Sequence, residues 1–251
     1  MSNRLEVIAL AGLPEIEEGM SVGGLVAAAV EDGLRDDDVV VVSHKVVSKA
    51  EGRLRDLGTV TPGERASALA AELGKDARLV ELILAEARSV IRAERGVLIV
   101  ETHGGWICAN AGVDASNMPG DDAVALLPED ADASAARIRG EIAAGCGSSP
   151  AVVVADSFSR AWRVGQVDVA IGCAGLAPFD DWRGRRDATG RELTATVVAV
   201  ADEVAAAADL AREKDAGAPA VIVRGLGRHV TREPGPGAAA LRRAETDDLF
   251  R

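Results

Sequence analysis

Five short runs of mostly β-branched residues constrain the fold of this 251-residue chain more than any other feature. They are VVVV at 39–42, VLIV at 97–100, AVVVA at 151–155, VDVAI at 167–171 and AVIV at 220–223. Each run adjoins Asp, Ser, Gly or Pro, and short runs bounded in this way are typical of buried strands. The sequence therefore predicts strands at these five places.

Helical patterns lie between the predicted strands. Apolar residues spaced three and four apart predict helices at 62–73, 77–92, 133–144 and 193–212, with Asp132 or Ser134 as the N-cap of the third. The chain has no internal repeat and no long linker, and REPGPGAAA at 232–240 is predicted to lead into a last helix. The pattern indicates a mixed α and β protein of one large domain, or one domain with a smaller lobe.

The charge of the chain excludes some classes of ligand. A formal net charge of −12 argues against nucleic acid, because that binding depends largely on Lys and Arg that neutralise phosphates. Three Trp, three Phe and no Tyr also argue against a stacking surface for single strands. A nucleotide is not excluded, since small phosphorylated ligands need only a few local donors and a divalent ion.

The cysteine content and the hydropathy of the chain indicate its cellular compartment. The three Cys form no CxxC motif, which argues against a disulfide framework and against a structural zinc site. The N-terminal sequence has no basic region followed by an apolar core, and no window reaches 18 uninterrupted apolar residues. We therefore expect a cytoplasmic protein without a membrane partner.

Two polar segments that follow predicted strands are candidates for a binding site. Asp156 and Ser157 follow AVVVA, with Arg160 and Arg163 beyond them, and Asp114 lies in CANAGVDASN, which follows the VLIV strand. Carboxylate and hydroxyl oxygens suit Mg²⁺ or Mn²⁺, and Arg suits phosphate oxygens, so the two aspartates are predicted to share a divalent ion. The alternatives are a capped turn with surface arginines at 156–163 and a self-capping Asx turn around Asp114.

Two other segments are less specific. The first, SHKVVSKAEGR at 43–53, follows VVVV and is a place to seek chemistry, but the spacing of Lys45 and Lys49 favours two solvated lysines. The second, GLPEIEEG at 12–19, is by itself only a turn signal, because Pro14 fixes φ between two glycines. Neither segment identifies a ligand from its own residues.

Several motifs taken together resemble one known family. They are SHKVVSKAEGR, ETHGGWICANAGVDASN, PEDADASAARIR, DSFSRAWRVGQVDVAIGCAGL, GRELTATVVAVADEVAAAADL and the closing DDLFR, in this order. This series is similar to the coenzyme F420-0:L-glutamate ligase family, also called γ-glutamyl ligase. The resemblance runs from GLPEI to the last residue, and it implies that residues 1–251 form the catalytic domain.

The resemblance implies a fold and an activity. The fold is α+β, with mixed sheets and packed helices, and it forms an intertwined homodimer. The activity is GTP-dependent ligation of L-glutamate to the lactate carboxylate of the deazaflavin precursor F420-0, through an acyl phosphate, followed by γ-linked additions. The family also implies Mg²⁺ or Mn²⁺, at two sites, and K⁺. Phosphoryl transfer of this kind needs alignment and charge neutralisation more than a protein nucleophile, and the sequence shows no Ser-His-Asp or Cys-His nucleophile.

Residue roles follow from the same resemblance. It implies that Asp114 and Asp156 hold one divalent ion and that Ser157 contributes a ligand to a second. The residues implied at the nucleotide are Leu13, Pro14, Glu15, Ile16, His44, Lys49 and Asn117. Lys49, which is expected to contact a phosphate, joins Asp114 and Asp156 as a catalytic candidate. Arg160 and Arg163 are placed near the phosphates or the anionic acceptor by their chemistry alone.

The sequence also departs from the usual family pattern. Ser159 and Ala161 replace the Gly and Pro of a DSFGRPWR-like motif, Gly104 replaces a frequent His, and AREKDAG stands where VMGK-like sequences are usual. None of these changes removes an implied metal ligand. They leave open a related ligase with a different acceptor, or a nucleotide-binding module without turnover. From its length we expect a stand-alone ligase rather than the ligase half of a longer protein.

Overall fold

The computed structural model describes residues 4–118, 120–212 and 217–249, and these form a mixed α and β protein. The helices are α1 (Val22–Ala29), α2 (His44–Ala50), α3 (Glu64–Leu73), α4 (Ala77–Glu86), α5 (Ala131–Cys146) and α6 (Val200–Ala211). The strands are β1 (Glu6–Leu10), β2 (Val39–Ser43), β3 (Leu54–Asp56), β4 (Ala87–Glu94), β5 (Val97–Thr102), β6 (Ile107–Ala109), β7 (Ala123–Ala125), β8 (Ala151–Arg160), β9 (Arg163–Ala174), β10 (Asp180–Asp181), β11 (Val197–Val198) and β12 (Ala220–Arg224).

A five-stranded sheet forms the centre of the molecule. Its strand order is β1-β12-β2-β8-β9, with β2 and β8 parallel and the other neighbouring pairs antiparallel. The parallel pair is in register from Val39 opposite Ala151 to Ser43 opposite Ala155. The residues that follow this pair, His44 and Asp156, therefore emerge side by side at one edge.

The VVVV run is apolar throughout because both faces of the sheet are covered. Val40 and Val42 pack in a core with α1 and α5, whereas Val39 and Val41 pack in a second core with α6. Successive strand side chains point to opposite faces, so a strand between two helical layers needs apolar residues at every position. The prediction of a buried strand at 39–42 is confirmed.

A third apolar cluster lies away from the central sheet. It joins α3 and α4 to the three-stranded sheet β4-β5-β6, with Ala70, Ile83, Leu98 and Val100 at its centre. Two small antiparallel pairs, β3 with β7 and β10 with β11, complete the sheets of the described residues. None of the described helices is long and apolar enough to cross a membrane.

The helix predicted at 77–92 is wrong in its second half. Helix α4 ends at Glu86, and the chain continues directly as β4, which pairs with β5. Arg95 and Gly96 join the two strands with φ values of 52° and 75°. Two consecutive positive φ values suit a tight hairpin whose twist matches its strands, so strand pairing overrides the helical spacing.

Two other details differ from prediction. The N-cap of α5 is Asp130, whose side chain accepts a hydrogen bond from Ala133 N at 3.0 Å. Asp132 instead accepts hydrogen bonds from Cys173 N and from Ala238 N, which tie α5 to β9 and to the segment after the PGPG turn. The helix predicted at 193–212 begins only at Val200, because the preceding residues enter β11.

Candidate functional site

A cavity of about 670 Å³ opens at the edge of the sheet where β2 ends. Its walls come from the segment before α1, from α2, from the loop after β6, from β8 and β9, and from the end of α6. All residues that the sequence assigned to the metal and the nucleotide line this cavity: Leu13, Pro14, Glu15, Ile16, His44, Lys49, Asp114, Asn117, Asp156 and Ser157. The structure therefore brings these residues together from four separate parts of the chain.

Asp156 reaches the cavity for a reason different from the one predicted. It does not end a strand, since β8 continues to Arg160 as one arm of a hairpin with β9. Its neighbour β2 stops at Ser43, which leaves the side of β8 open from Asp156 onward. The β8–β9 ladder also shifts register between Val154 and Ala155, and such bulges re-aim the side chains that follow them.

His44 and Asp156 form the buried part of the site. His44 Nε2 lies 3.3 Å from Asp156 Oδ1, and the two side chains are 1% and 11% exposed. Burial lowers the pKa of His44 despite the nearby carboxylates. Burial raises the pKa of Asp156, and the negative charges of Asp114 and Asp168 raise it further. The contact between His44 Nε2 and Asp156 Oδ1 does not have hydrogen-bond geometry, so Nε2 has no hydrogen-bond partner among the described residues.

Asp114 lies in a loop that it also helps to shape. Its Oδ1 accepts a hydrogen bond from Ser116 N at 2.6 Å, which is the capping contact of the Asx-turn alternative. Its Oδ2 lies 2.9 Å from Lys45 Nζ. Burial acts to raise the pKa of Asp114, but the hydrogen bonds from Lys45 and Ser116 outweigh it and hold that pKa below its usual value. The turn and the cavity-lining position are thus compatible.

The two lysines of α2 are not solvated surface residues. The side chains of Lys45 and Lys49 are only 21% and 11% exposed. Lys49 forms an ion pair with Glu15, on the opposite wall, while Lys45 pairs with Asp114. Both ammonium groups are therefore held at the cavity by carboxylates that an anionic ligand would have to replace.

Sequence reasoning missed two charged residues next to the site. Asp168, on β9, is fully buried and accepts a hydrogen bond from Ser157 Oγ at its Oδ1, at 2.6 Å. Its Oδ2 forms an ion pair with Arg212, which follows α6 and lines the cavity. The available signal was one Asp inside the apolar run VDVAI, because a buried strand rarely carries an unpaired carboxylate.

Arg160 and Arg163 do not lie where their chemistry suggested. They occupy the exposed tip of the β8–β9 hairpin, where Arg160 donates a hydrogen bond to Val164 O at 2.8 Å. Neither is among the described residues that line the cavity, whereas Ser159 and Gln166, nearer the base of the hairpin, are. Arg212 is the arginine on the cavity wall.

The oxygen ligands in the cavity suit a hard divalent cation that takes only some of its ligands from the protein. Asp114, Asp156 and Ser157 offer carboxylate and hydroxyl oxygens, the type that Mg²⁺ and Mn²⁺ prefer. Burial raises the pKa of Asp156, and the charges of Asp114 and Asp168 add to this effect, so a bound cation would stabilise the charged form of its carboxylate. Within the described parts of the chain, no three His, Cys, Asp or Glu side chains form a ready ligand set. A Mg²⁺ ion at these carboxylates would therefore need phosphate oxygens and water to complete its ligands.

The fold and the cavity together are typical of an enzyme that acts on small anionic substrates. A single concave site combines carboxylates with perturbed pKa values, two partly buried ammonium groups and a buried imidazole. These groups are carried by the edge of a rigid sheet and by the loops around it.

Comparison with known proteins identifies the family. The family described as F420-0:γ-glutamyl ligase matches residues 12–225, and the chain belongs to this family. It is 43% identical to the coenzyme F420:L-glutamate ligase of Methanopyrus kandleri over 94% of both chains. It is 41% identical to that of Methanothermobacter thermautotrophicus over 98% of this chain and 99% of the relative. The relative from Haloarcula marismortui is 45% identical over 88% of this chain and 87% of its own.

Proposed function

We propose that this protein is a GTP-dependent ligase that joins L-glutamate to the lactate carboxylate of F420-0 and then adds further glutamates through γ-linkages. The observation that carries the proposal is that the ten residues implied at the metal and the nucleotide all line one cavity. Relatives at 41–45% identity bear the name coenzyme F420:L-glutamate ligase, which supports the same substrates for this chain. The residue roles below are part of the proposal.

The nucleotide is held mainly by the segment 13–16 and by α2. Lys49 exchanges its ion pair with Glu15 for the phosphates of GTP, and the buried His44 Nε2 turns toward a ligand atom. Asn117, in the loop that Asp114 caps, donates or accepts a hydrogen bond at the nucleotide. Binding therefore replaces existing charge pairs and adds few buried charges, which lowers its desolvation cost.

Asp114, Asp156 and Ser157 hold Mg²⁺ or Mn²⁺ at two positions, and a monovalent cation such as K⁺ accompanies them. A divalent cation bound there supplies charge neutralisation to the phosphate oxygens. When Asp114 takes part in this site, Lys45 is released from it and becomes a second donor for phosphate. The side chains thus reorganise over short distances, within a cavity that is already formed.

The reaction proceeds in two steps. A carboxylate oxygen of F420-0 attacks the γ-phosphorus of GTP, the bond from that phosphorus to the bridging oxygen breaks, and GDP leaves. The amine of L-glutamate then attacks the acyl carbon, inorganic phosphate leaves, and the amine loses a proton as the amide forms. The protein residues align the groups and neutralise charge, and none of them forms a covalent bond.

The proposal is tested by incubating the protein with F420-0, GTP, L-glutamate, Mn²⁺ and K⁺ and following product masses. We expect mass increments of one glutamate residue each, with one GDP and one phosphate formed per increment. Replacement of L-glutamate by D-glutamate serves as the matched control. Consumption of GTP without a glutamylated product would contradict the proposed acceptor, and binding of GTP without any hydrolysis would contradict catalysis.

A further inference from the structure

Asp168 is a carboxylate that lies beside the cavity without facing it. It is 0% exposed, and in the β8–β9 ladder it stands directly opposite Ser157. Its Oδ1 accepts the hydrogen bond from Ser157 Oγ at 2.6 Å, and its Oδ2 pairs with Arg212. Because both of its oxygens have partners within the protein, Asp168 is arranged to act on Ser157 and not to contact a ligand.

This contact determines what Ser157 can offer to the cavity. A serine hydroxyl has one proton and two lone pairs, and here the proton is directed at Asp168. What remains toward the cavity is oxygen lone-pair density, which suits a cation and does not donate to an anion. Without a fixed acceptor, the hydroxyl would rotate and present its proton to a phosphate oxygen as readily as its lone pairs to a cation.

Arg212 supplies the second half of the arrangement. It follows the last residue of α6, and its side chain is 13% exposed. An isolated buried carboxylate would be costly, and the ion pair with the Arg212 guanidinium offsets that cost and fixes the orientation of the Asp168 carboxylate. Through this pair, the end of α6 is connected to a hydroxyl on β8.

We propose that Asp168 and Arg212 are positioning residues that hold Ser157 as an oxygen ligand for a divalent cation in the cavity. The inference rests on the proposed function, since it requires that Ser157 contribute to a metal site. It adds a fully buried carboxylate outside the cavity lining, Asp168, and the arginine that holds it. Partners that orient ligands in this way typically change metal affinity by about ten-fold or more when they are removed.

Mn²⁺ binding tests the inference without any need for turnover. Free Mn²⁺ is measured by electron paramagnetic resonance during titration of the wild type, Ser157→Ala, the paired variant Asp168→Val with Arg212→Met, and all three changes together. The paired variant removes both charges at once, because either change alone would strand a buried charge. We expect roughly ten-fold weaker binding in the paired variant. When the two paired substitutions are added to Ser157→Ala, Mn²⁺ binding should weaken no further, since the Asp168–Arg212 pair acts through Ser157.

Asp202 provides a matched control, since it is another carboxylate in contact with β9. It is a half-buried carboxylate on α6 whose Oδ1 accepts a hydrogen bond from Ala170 N, on β9, at 3.0 Å. It has no contact with Ser157, so Asp202→Asn should bind Mn²⁺ as the wild type does. If the melting temperature shows that the paired variant does not fold, Asp168→Asn takes its place in the same cycle. Its amide can turn an N–H toward Ser157 Oγ, and we expect weaker binding there too.

The outcomes separate the inference from the proposed function. If Ser157→Ala weakens Mn²⁺ binding while the paired variant binds normally, the positioning role is overturned and the metal site stands. Additive losses in the combined variant would likewise overturn it, because they would mean that the pair acts by a route other than Ser157. If Ser157→Ala itself has no effect, the metal role of Ser157 in the proposed function is overturned, and this inference with it.

Discussion

At the scale of single residues, the three cysteines have very different environments. Cys146 is exposed at the end of α5, whereas Cys108 and Cys173 are buried. Burial raises the pKa of Cys108 to about 12, with a further contribution from the charge of Asp156, and burial raises the pKa of Cys173 to about 12 as well. Since the thiolate is the reactive form, only Cys146 should be reactive near neutral pH.

We therefore predict that a disulfide reagent such as dithionitrobenzoate modifies one thiol quickly at pH 8 in the folded protein and three after denaturation. The absorbance of the released thiolate measures both numbers. Cys146→Ser is the control and should lose the fast phase entirely. Two fast thiols in the wild type would show that one of the buried sites is open to solvent.

At the scale of elements, the packing of α1 against α5 depends on one glycine. A Cβ added to Gly23 would lie 2.4 Å from Ile138 O and 2.6 Å from Glu141 Cβ, both on α5. Gly23 N also donates a hydrogen bond to Glu141 Oε2 at 2.8 Å. The close approach of the two helices, which cover one face of the sheet, therefore requires a residue without a side chain.

Gly23→Ala should destabilise the fold by about 1–3 kcal/mol, because overpacking forces the helices apart. Gly140→Ala is the matched control: Gly140 is exposed on α5, and an added Cβ meets nothing within 4 Å. Alanine loses less backbone entropy than glycine when a helix forms, so Gly140→Ala should be more stable than the wild type by about 0.5–1 kcal/mol. Thermal or urea unfolding measures the change in the free energy of unfolding for each variant. The packing described would be contradicted if this change had the same sign in both variants.

The elements also show which parts of the fold sequence patterns predict. The VVVV and AVVVA strands were predictable because burial on both faces requires apolar residues at every position. Strand β4 was not, because residues 87–92 continue the helical spacing of α4 and become a strand only through pairing with β5. That pairing is set by the hairpin turn at Arg95 and Gly96, which the spacing of apolar residues does not report.

Some residues of the candidate site were likewise predictable from the sequence, and others were not. Asp114, Asp156 and Ser157 were chosen as oxygen ligands that follow strands, and the family resemblance added His44, Lys49 and the 13–16 segment. The Asp168–Arg212 pair could not be chosen, since its two members are 44 residues apart and meet only when α6 packs against β9. Arg160 and Arg163 were misplaced because β8 runs beyond the sheet edge and carries them to the hairpin tip.

At the scale of the whole molecule, the tip of the β8–β9 hairpin is the place where we expect a second copy to bind, if the chain forms the homodimer that the family resemblance implies. Trp162 and Val164, at its tip, are 81% and 99% exposed, and large apolar side chains so exposed favour a partner surface. Ser159 and Gln166, which pair with each other just below that tip, line the cavity. The homodimer implied by the family resemblance would therefore form next to the site.

We predict that the protein sediments with about twice the mass of the 25.8 kDa chain. Val164→Glu should shift it toward the monomer, since it places a charge where an apolar contact is expected. Leu210→Glu, at another position that is 89% exposed, is the control and should leave the mass unchanged. A wild-type protein that remains a monomer at micromolar concentration would contradict the dimer.

The proposed function assigns metal-dependent ligation of glutamate to F420-0 to this one cavity. The substitution Asp156→Asn tests the proposed function most directly, because Asp156 is a proposed metal ligand. Burial already disfavours the negative charge of Asp156, so removal of that charge should not harm the fold. The measurement is the mass of the F420 product after incubation with GTP, L-glutamate and Mn²⁺, beside the melting temperature of each protein. We predict glutamate additions with the wild type and none with the variant, at a melting temperature no lower than that of the wild type. A folded Asp156→Asn variant that adds glutamate at the wild-type rate when Mn²⁺ is limiting would contradict the account.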